Sequence, residues 1–204
     1  MNRKKVIFWC LCLSVIGALL LPGASMAQDR FEFGLQANPS AIEAMGSMEI
    51  DIPPSVLILG GNVLIDEDDY DLVGFQTLVG NIVDVQALSG QLGFKAVAGE
   101  AERRGSDSDV LALAFSAGVQ YDLSRALSRS DIPVTLHGFL HYAPDPTSFD
   151  DSDEYFEFIA GADWKILENG ALMANFRYLE MDFEDPVRWQ ETDNDLYVGM
   201  KFMF

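Results

Sequence analysis

From residue 31 onward, apolar and polar side chains alternate along the chain with a period of two. No long stretch shows the 3.6-residue apolar period of a helix. In the last segment the apolar positions are Leu196, Val198, Met200, Phe202 and Phe204. Alternation of this kind places apolar residues on one face of a β-strand and polar residues on the other. The pattern therefore predicts an all-β protein.

The alternation recurs in ten segments. The predicted strands lie at residues 31–36, 42–50, 55–66, 71–80, 88–99, 111–121, 133–142, 156–166, 172–178 and 196–204, with a short helical turn within 124–131. Pro53-Pro54 and Asn169-Gly170 are turn signals between strands. Strands of about ten residues can cross a bilayer at a tilt. We predict a closed antiparallel transmembrane β-barrel of ten strands, with eight as the alternative count.

The predicted connections alternate between long and short. One set comprises residues 38–40, 66–70, 101–108, 144–153 and 184–193. It contains acidic tips at residues 66–69, 150–154 and 191–195. The other set comprises residues 53–54, 81–87, 122–132 and 169–170, which are mostly shorter and more neutral. Long loops on one side and short turns on the other are typical of an outer-membrane barrel.

Residues 1–27 have the features of a cleaved export signal. Three basic residues near the start precede an apolar stretch that ends at Leu21, and small residues follow at Ser25 and Ala27. A retained membrane helix is the alternative, but the stretch is short for one. We expect cleavage after Ala27, which leaves residues 28–204 as a single barrel domain.

Loss of this signal changes the composition of the chain. Its three basic residues leave, which takes the formal net charge from −19 to −22, and both cysteines, Cys10 and Cys12, leave as well. A chain this acidic repels phosphates, so we expect no nucleic-acid partner. A content of 49% hydrophobic residues with 14 Phe excludes a disordered secreted chain.

If the apolar face meets lipid, the polar strand residues point into the lumen. The predicted lumen network comprises Glu32, Glu43, Glu49, Lys95, His137, His141, Glu157, Asp163, Lys165, Arg177 and Lys201. Acids and bases nearly balance in this set, so we expect ion pairs that cross the barrel and mostly plug a narrow interior. Small barrels are filled by their own side chains. A narrow channel for small solutes is the alternative.

The chain offers little sign of catalysis. His137 and His141 are its two histidines. Four residues apart on a strand, they are separated by about 13 Å, too far to ligate one ion easily. No nucleophile elbow surrounds any serine. We predict no catalytic residues and no enzymatic activity; the less favoured alternative is an envelope hydrolase that uses His141 and Asp145 at the outer rim on lipid or peptide.

The acidic tips permit two interpretations. Carboxylates are ligands that Ca²⁺ and Mg²⁺ prefer, although the spacing is not that of an EF-hand. Weakly bound cations would then bridge the loops to lipopolysaccharide phosphates, which Arg103, Arg104 and Arg188 would contact directly. The simpler interpretation is a solvated surface whose repulsion prevents association. Apart from such weak cations we predict no cofactor and no metal site.

Several segments carry a family resemblance. They are Leu59-Gly60-Gly61-Asn62, Asp66-Glu67-Asp68-Asp69-Tyr70-Asp71, Phe139-Leu140-His141-Tyr142-Ala143-Pro144-Asp145, Phe176-Arg177-Tyr178-Leu179 and Tyr197-Val198-Gly199. In these segments and through most of the mature chain, the sequence resembles the YfaZ family of Gram-negative outer-membrane proteins. The resemblance implies an integral outer-membrane barrel whose biochemical activity is not established.

The C-terminal stripe that ends in Phe204 resembles the signal that the outer-membrane assembly machinery reads on its substrates. The expected partners are therefore that machinery, periplasmic chaperones and the lipopolysaccharide and lipid of the outer membrane. The last strand is also expected to pair with the first at residues 31–36, because an open sheet edge cannot persist in lipid.

Overall fold

A computed structural model describes residues 30–67, 69–81, 84–85, 87–103, 106–127, 133–183 and 189–204. The predicted export signal at residues 1–27 lies outside the described residues, as do Asp68, Arg104 and Arg188. No helix in the described part has the length and apolar character needed to cross a membrane.

Within the described part, twelve strands form one antiparallel sheet. They are β1 Arg30–Ala37, β2 Ala41–Ile52, β3 Ser55–Asp66, β4 Tyr70–Gly80, β5 Asp84–Val85, β6 Leu88–Arg103, β7 Ser106–Asp122, β8 Val134–Ala143, β9 Ser148–Asp150, β10 Ser152–Leu167, β11 Gly170–Phe183 and β12 Trp189–Met203. A single helical turn, α1 Leu123–Ala126, follows β7, where the Asp122 side chain caps it by accepting from the amides of Ser124 and Arg125.

The ten long strands close into a barrel. Each pairs antiparallel with its neighbours in chain order, and β5 and β9 are short additions at the edges. β12 returns to β1, with pairs from Glu32↔Met203 to Ala37↔Val198. The predicted closed antiparallel barrel, its ten strands and the pairing of last strand with first are therefore confirmed.

Both ends of the described chain lie at one end of the barrel, which we call the terminal end. The backbone of Phe204 exchanges two hydrogen bonds with that of Phe31, at 2.8 and 3.1 Å. The opposite end, which we call the loop end, is where β1, β3, β6, β8 and β11 end. Sequence patterning assigned the connections that follow these five strands to the longer, acidic set.

At the loop end the strands are longer than predicted. β6 continues to Arg103, β7 begins at Ser106 and β12 begins at Trp189. Much of the expected loops at 101–108 and 184–193 is therefore sheet. The expected acidic loop at 191–195 is wrong, because those residues lie within β12. Outward positions become polar there, which removes the alternation that indicates a strand although backbone pairing continues.

The outer wall carries an apolar belt. Leu196 and Val198 on β12 expose 62% and 59% of their surfaces, and Phe115 on β7 exposes 53%. Toward the loop end, the outward positions change to polar residues such as Asp71 and Asp109, which are also exposed. The barrel therefore has an apolar outside over most of its height and a polar outside at the loop end.

Candidate functional site

The interior of the barrel has two layers. On several strands, polar inward residues give way to apolar ones toward the loop end. On β11, for example, Asn175 and Arg177 precede Leu179, Met181 and Phe183, and all five are buried. The charged layer is thus at the level of the outer apolar belt, and the apolar layer is at the level of the polar outside.

Arg177 lies at the centre of the charged layer. Its Nη2 donates to Oε1 and Oε2 of Glu43 at 2.8 and 2.7 Å, and its Nε lies 3.0 Å from Oε1 of Glu157. Nζ of Lys95 is 2.5 Å from Oε2 of Glu157, which also accepts from the Tyr155 hydroxyl at 2.8 Å. Each of these five residues is 5% exposed or less. Removal of any one charge would leave its partner buried and uncompensated.

A chain of amides continues from Glu43 across the lumen. Gln36 and Asn62 donate to the Glu43 carboxylate at 2.5 and 2.7 Å, and Asn175 donates to the side-chain oxygen of Gln36 at 2.6 Å. Nε2 of His137 lies 2.9 Å from the side-chain oxygen of Asn175. The chain therefore joins β1, β2, β3, β8 and β11, strands from opposite walls of the barrel.

A second group of charges lies nearer the terminal end. Nζ of Lys201 donates to Asp163 at 2.6 Å and is 3.4 Å from Glu32. Nδ1 of His137 is 3.7 Å from the same Asp163 carboxylate, so His137 connects this group to the amide chain. Glu49 lies at the rim, 4.0 Å from the exposed guanidinium of Arg30.

Lys165 differs from the other residues of the predicted lumen network. It is exposed near the terminal end of β10 and lies outside the buried layer. Alternation indicates the face on which a side chain lies, but not its depth along the barrel axis. The other ten residues lie on the inner face, from the buried centre to the half-buried rim.

His141 is not at an outer rim. It is 2% exposed, and its Nδ1 is 2.8 Å from Oγ of Ser116, which is also buried. Its ring is parallel to that of Phe139, with the centroids 6.3 Å apart. Asp145 lies instead in an exposed 3₁₀ turn beyond β8. The expected rim pair of His141 and Asp145 is therefore wrong, because His141 lies in the buried layer of the lumen whereas Asp145 is exposed beyond β8.

Among the described residues, no group of three or more His, Cys, Asp or Glu side chains has an arrangement that would hold a metal ion. Asp193 and Asp195, from the acidic segment expected to be a loop, accept hydrogen bonds from Tyr70 and Asn38. These bonds link β12, which extends further at the loop end, to the shorter strands β1 and β4.

The apolar layer, which we call the cap, fills the loop end of the lumen. Its members are Ala41, Leu64, Tyr70, Leu72, Val97, Ala101, Val110, Ala112, Ala114, Ala143, Tyr155, Leu179, Met181, Phe183 and Tyr197, with Trp189 packed against them. The rings of Phe183 and Trp189 stack at 4.3 Å. Sequence reasoning missed the cap. The signal for it was present in segments such as 110–115, where both faces of a strand are apolar.

Below the cap, the charged layer encloses a cavity of about 150 Å³. Its wall includes Glu32 and Lys201 toward the terminal end and Lys95 and Arg177 toward the cap. This volume corresponds to about five water molecules at about 30 Å³ each. The cavity is far smaller than the lumen of a general porin.

Comparison with known proteins identifies the family. No curated protein matches the chain. Two solved structures of a KdgM porin, one in complex with disordered oligogalacturonate, are each 10% identical over 86% of this chain and 99% of theirs, with TM-scores of 0.41 and 0.42. The model of the family described as YfaZ precursor matches residues 11–204. Because that match spans nearly the whole sequence, the chain belongs to the YfaZ family.

Proposed function

We propose that this protein is an integral outer-membrane barrel without enzymatic activity, whose lumen is closed toward the loop end. Its role is structural, or it interacts with small solutes or the cell surface. The observation that carries the proposal is the outer apolar belt combined with a charged interior. In a water-soluble barrel the apolar residues would face inward.

The height of the belt matches a membrane. On β7, the outward apolar positions from Leu111 to Tyr121 span about 34 Å along the strand at about 3.4 Å per residue. At a strand tilt of about 40°, this corresponds to about 25 Å along the membrane normal, the height of the apolar band of outer-membrane barrels. Polar outward residues such as Asp109 then lie at the membrane surface.

The interior supports a closed lumen. The ion pairs of Arg177 with Glu43 and Glu157 span the barrel, and the cap lies above them. An ion that crossed the lumen would have to separate buried charge pairs and then pass through an apolar layer. Both steps are costly because charges lose their hydration in such surroundings.

A narrow conduit for small solutes is the second candidate. The cavity of about 150 Å³ favours it, because space already exists in the terminal half of the lumen. Conduction would also require the cap to open. A hydrolase is disfavoured, because the Ser116–His141 pair is buried and Asp145 lies apart from it.

The proposed location determines the partners. The last strand would be recognised by the outer-membrane assembly machinery after delivery by periplasmic chaperones, and the belt would contact lipopolysaccharide and lipid. Residues such as Glu67 and Asp71, exposed at the loop end, would face the lipopolysaccharide phosphates, where weakly held Ca²⁺ or Mg²⁺ would reduce the repulsion.

Fractionation tests the location. We expect the protein in the outer-membrane fraction, with different migration of heated and unheated samples on a detergent gel, because a closed barrel resists detergent until it is boiled. Recovery as a soluble periplasmic monomer would contradict the proposal.

Planar-bilayer recording distinguishes the closed barrel from the conduit. The purified barrel should insert without measurable conductance, and a general porin of known conductance serves as the positive control. Steady single-channel current steps from the native protein would contradict the closed-barrel proposal and favour the narrow conduit.

A further inference from the structure

The cavity in the terminal half of the lumen has chemistry that the closed-barrel proposal does not use. It lies below the cap and is reached from the terminal end, where the side chains of Glu32 and Lys201 are 29% and 19% exposed. On the cap side its wall is made by Glu43, Lys95 and Arg177, which are buried. The cavity is therefore a pocket with its entrance at the terminal end.

The charges that line this pocket are already paired. Arg177 binds Glu43, Lys95 binds Glu157, and Lys201 binds Asp163 and approaches Glu32. A charged solute would have to break one of these pairs, which would leave a buried partner charge uncompensated. The pocket therefore disfavours both small anions and small cations.

The groups that remain for a solute are neutral. Gln76 and Ser47 line the pocket, and neither side chain has a hydrogen-bond partner among the described residues. Asn62 uses its NH₂ group on Glu43, so its carbonyl oxygen remains as an acceptor. An amide and a hydroxyl both donate and accept, which suits a solute whose groups also do both.

One part of the pocket wall is apolar. Phe139 and Ile159 contribute to it from β8 and β10, and Met45 does so from β2. The Phe139 ring is held parallel to the His141 ring. A ligand with hydroxyl groups on one side and C–H groups on the other would satisfy both parts of the wall.

From these features we infer that the lumen pocket binds a small neutral polyol of about the size of a triol, which enters from the terminal end. The volume of about 150 Å³ sets the size, the paired charges exclude ionic solutes, and Gln76, Ser47 and Asn62 provide the polar contacts. The inference depends on the proposed function only for placing the terminal end in the periplasm.

Titration of the mature chain, folded in a detergent without a sugar headgroup, tests the inference. The probes are glycerol, its carboxylate analogue glycerate and its amine analogue 3-amino-1,2-propanediol. Side-chain amide NMR signals of Gln76 and Asn62 should shift saturably with glycerol, and both charged analogues should bind at least tenfold more weakly. Linear, unsaturable shifts would indicate an adventitious additive only and overturn the inference, as would equal or tighter binding of a charged analogue.

Variants locate the site. Gln76→Leu should weaken glycerol binding at least tenfold, whereas Gln190→Leu, an exposed glutamine on β12 at the loop end, should leave it unchanged. If Gln76→Leu does not fold, Ser47→Ala tests the site instead, and it should weaken glycerol binding severalfold. Unchanged binding in the folded pocket variant would overturn the assignment. Since binding is measured in micelles, failure of the membrane location or of the bilayer recording would leave this result intact.

Discussion

Arg177 is the residue on which the charged layer most depends. It is 1% exposed and holds Glu43 and Glu157, carboxylates from two other strands. Its guanidinium also lies over the Tyr197 ring, 5.0 Å from the centroid. One side chain therefore connects the charged layer to the cap.

Replacement of Arg177 by methionine should destabilise the barrel by about 3–5 kcal/mol, because it leaves buried carboxylates without their counter-charge. Urea unfolding of the folded barrel, followed by tryptophan fluorescence, measures the change. Lys165→Met is the matched control; it should stay within about 0.5 kcal/mol of the native protein, since Lys165 is exposed. The double variant Arg177→Met/Glu43→Leu should be more stable than Arg177→Met, and equal stability of the native and Arg177→Met proteins would contradict the assigned role.

Sequence patterning assigns a residue to one face of a strand but cannot pair the residues of that face with one another. Period two indicates that Glu43 and Lys95 point inward. Which carboxylate meets which base depends on the stagger between strands and on the curvature that brings opposite walls together. The pairing of Lys95 with Glu157 joins residues 62 positions apart in the chain, and alternation along single strands contains no such information.

At the scale of elements, the seam between β1 and β12 determines closure. The pairing ends at Ala37, although β12 continues to Trp189. Gly199 lies opposite Gln36 in this seam. A Cβ atom at position 199 would be 2.1 Å from the carbonyl oxygen of Leu35 and 2.6 Å from Cα of Gln36. The two strands therefore approach more closely than any larger residue allows.

Gly199→Ala should weaken the seam by about 1–3 kcal/mol, the usual cost of overpacking, and lower the yield of the heat-modifiable form. Gly138→Ala is the control, because a Cβ there would meet its nearest atom at 3.7 Å. The yield of compact, unboiled barrel on a detergent gel measures both. Equal yields from the two variants would show that the seam tolerates the methyl group.

Phe204 contributes to the seam through its backbone as well as its ring. Deletion of Phe204 removes both hydrogen bonds to Phe31 and the terminal aromatic side chain, whereas Phe204→Trp keeps all three. We expect the deletion to reduce the assembled fraction in cells more than the substitution does. Defects of the same size would argue against a combined role in recognition and closure.

At the scale of the whole molecule, the outer belt and the cap define two different environments. Met200 is at the middle of the outward apolar stripe on β12, whereas Thr192 is exposed on the same strand at the level of the cap. Under the proposed membrane location, the same substitution at these two positions measures where the bilayer ends.

Met200→Arg should cost about 2–4 kcal/mol, as a cation does at the middle of a bilayer, and Thr192→Arg about 0–1 kcal/mol. Equilibrium unfolding from lipid vesicles measures both. A comparable cost at Thr192 would place lipid around the cap and extend the membrane span. A negligible change in the free energy of unfolding with Met200→Arg would show that the belt does not contact lipid, and the membrane location would lose its basis.

The barrel was predictable at this scale because one rule, apolar residues outward and polar residues inward, recurs from strand to strand. The cap was not, because toward the loop end that rule reverses and the chain follows the ordinary pattern of water-soluble proteins, apolar inside and polar outside. Residues such as Leu72 and Asp71 on β4 obey the second rule. A single pattern applied to the whole chain therefore identifies the barrel and misses its closed end.

This reversal has a consequence for insertion. In a barrel inserted as proposed, the cap would bury its side chains only after the strand ends had passed through the bilayer and met on the far side. The free energy of that burial would be released late and in water, so it would oppose withdrawal of the strands without aiding their entry. Assembly of the barrel should therefore be harder to reverse than to begin, because burial of the cap in the last step of folding stabilises the strands that have already inserted.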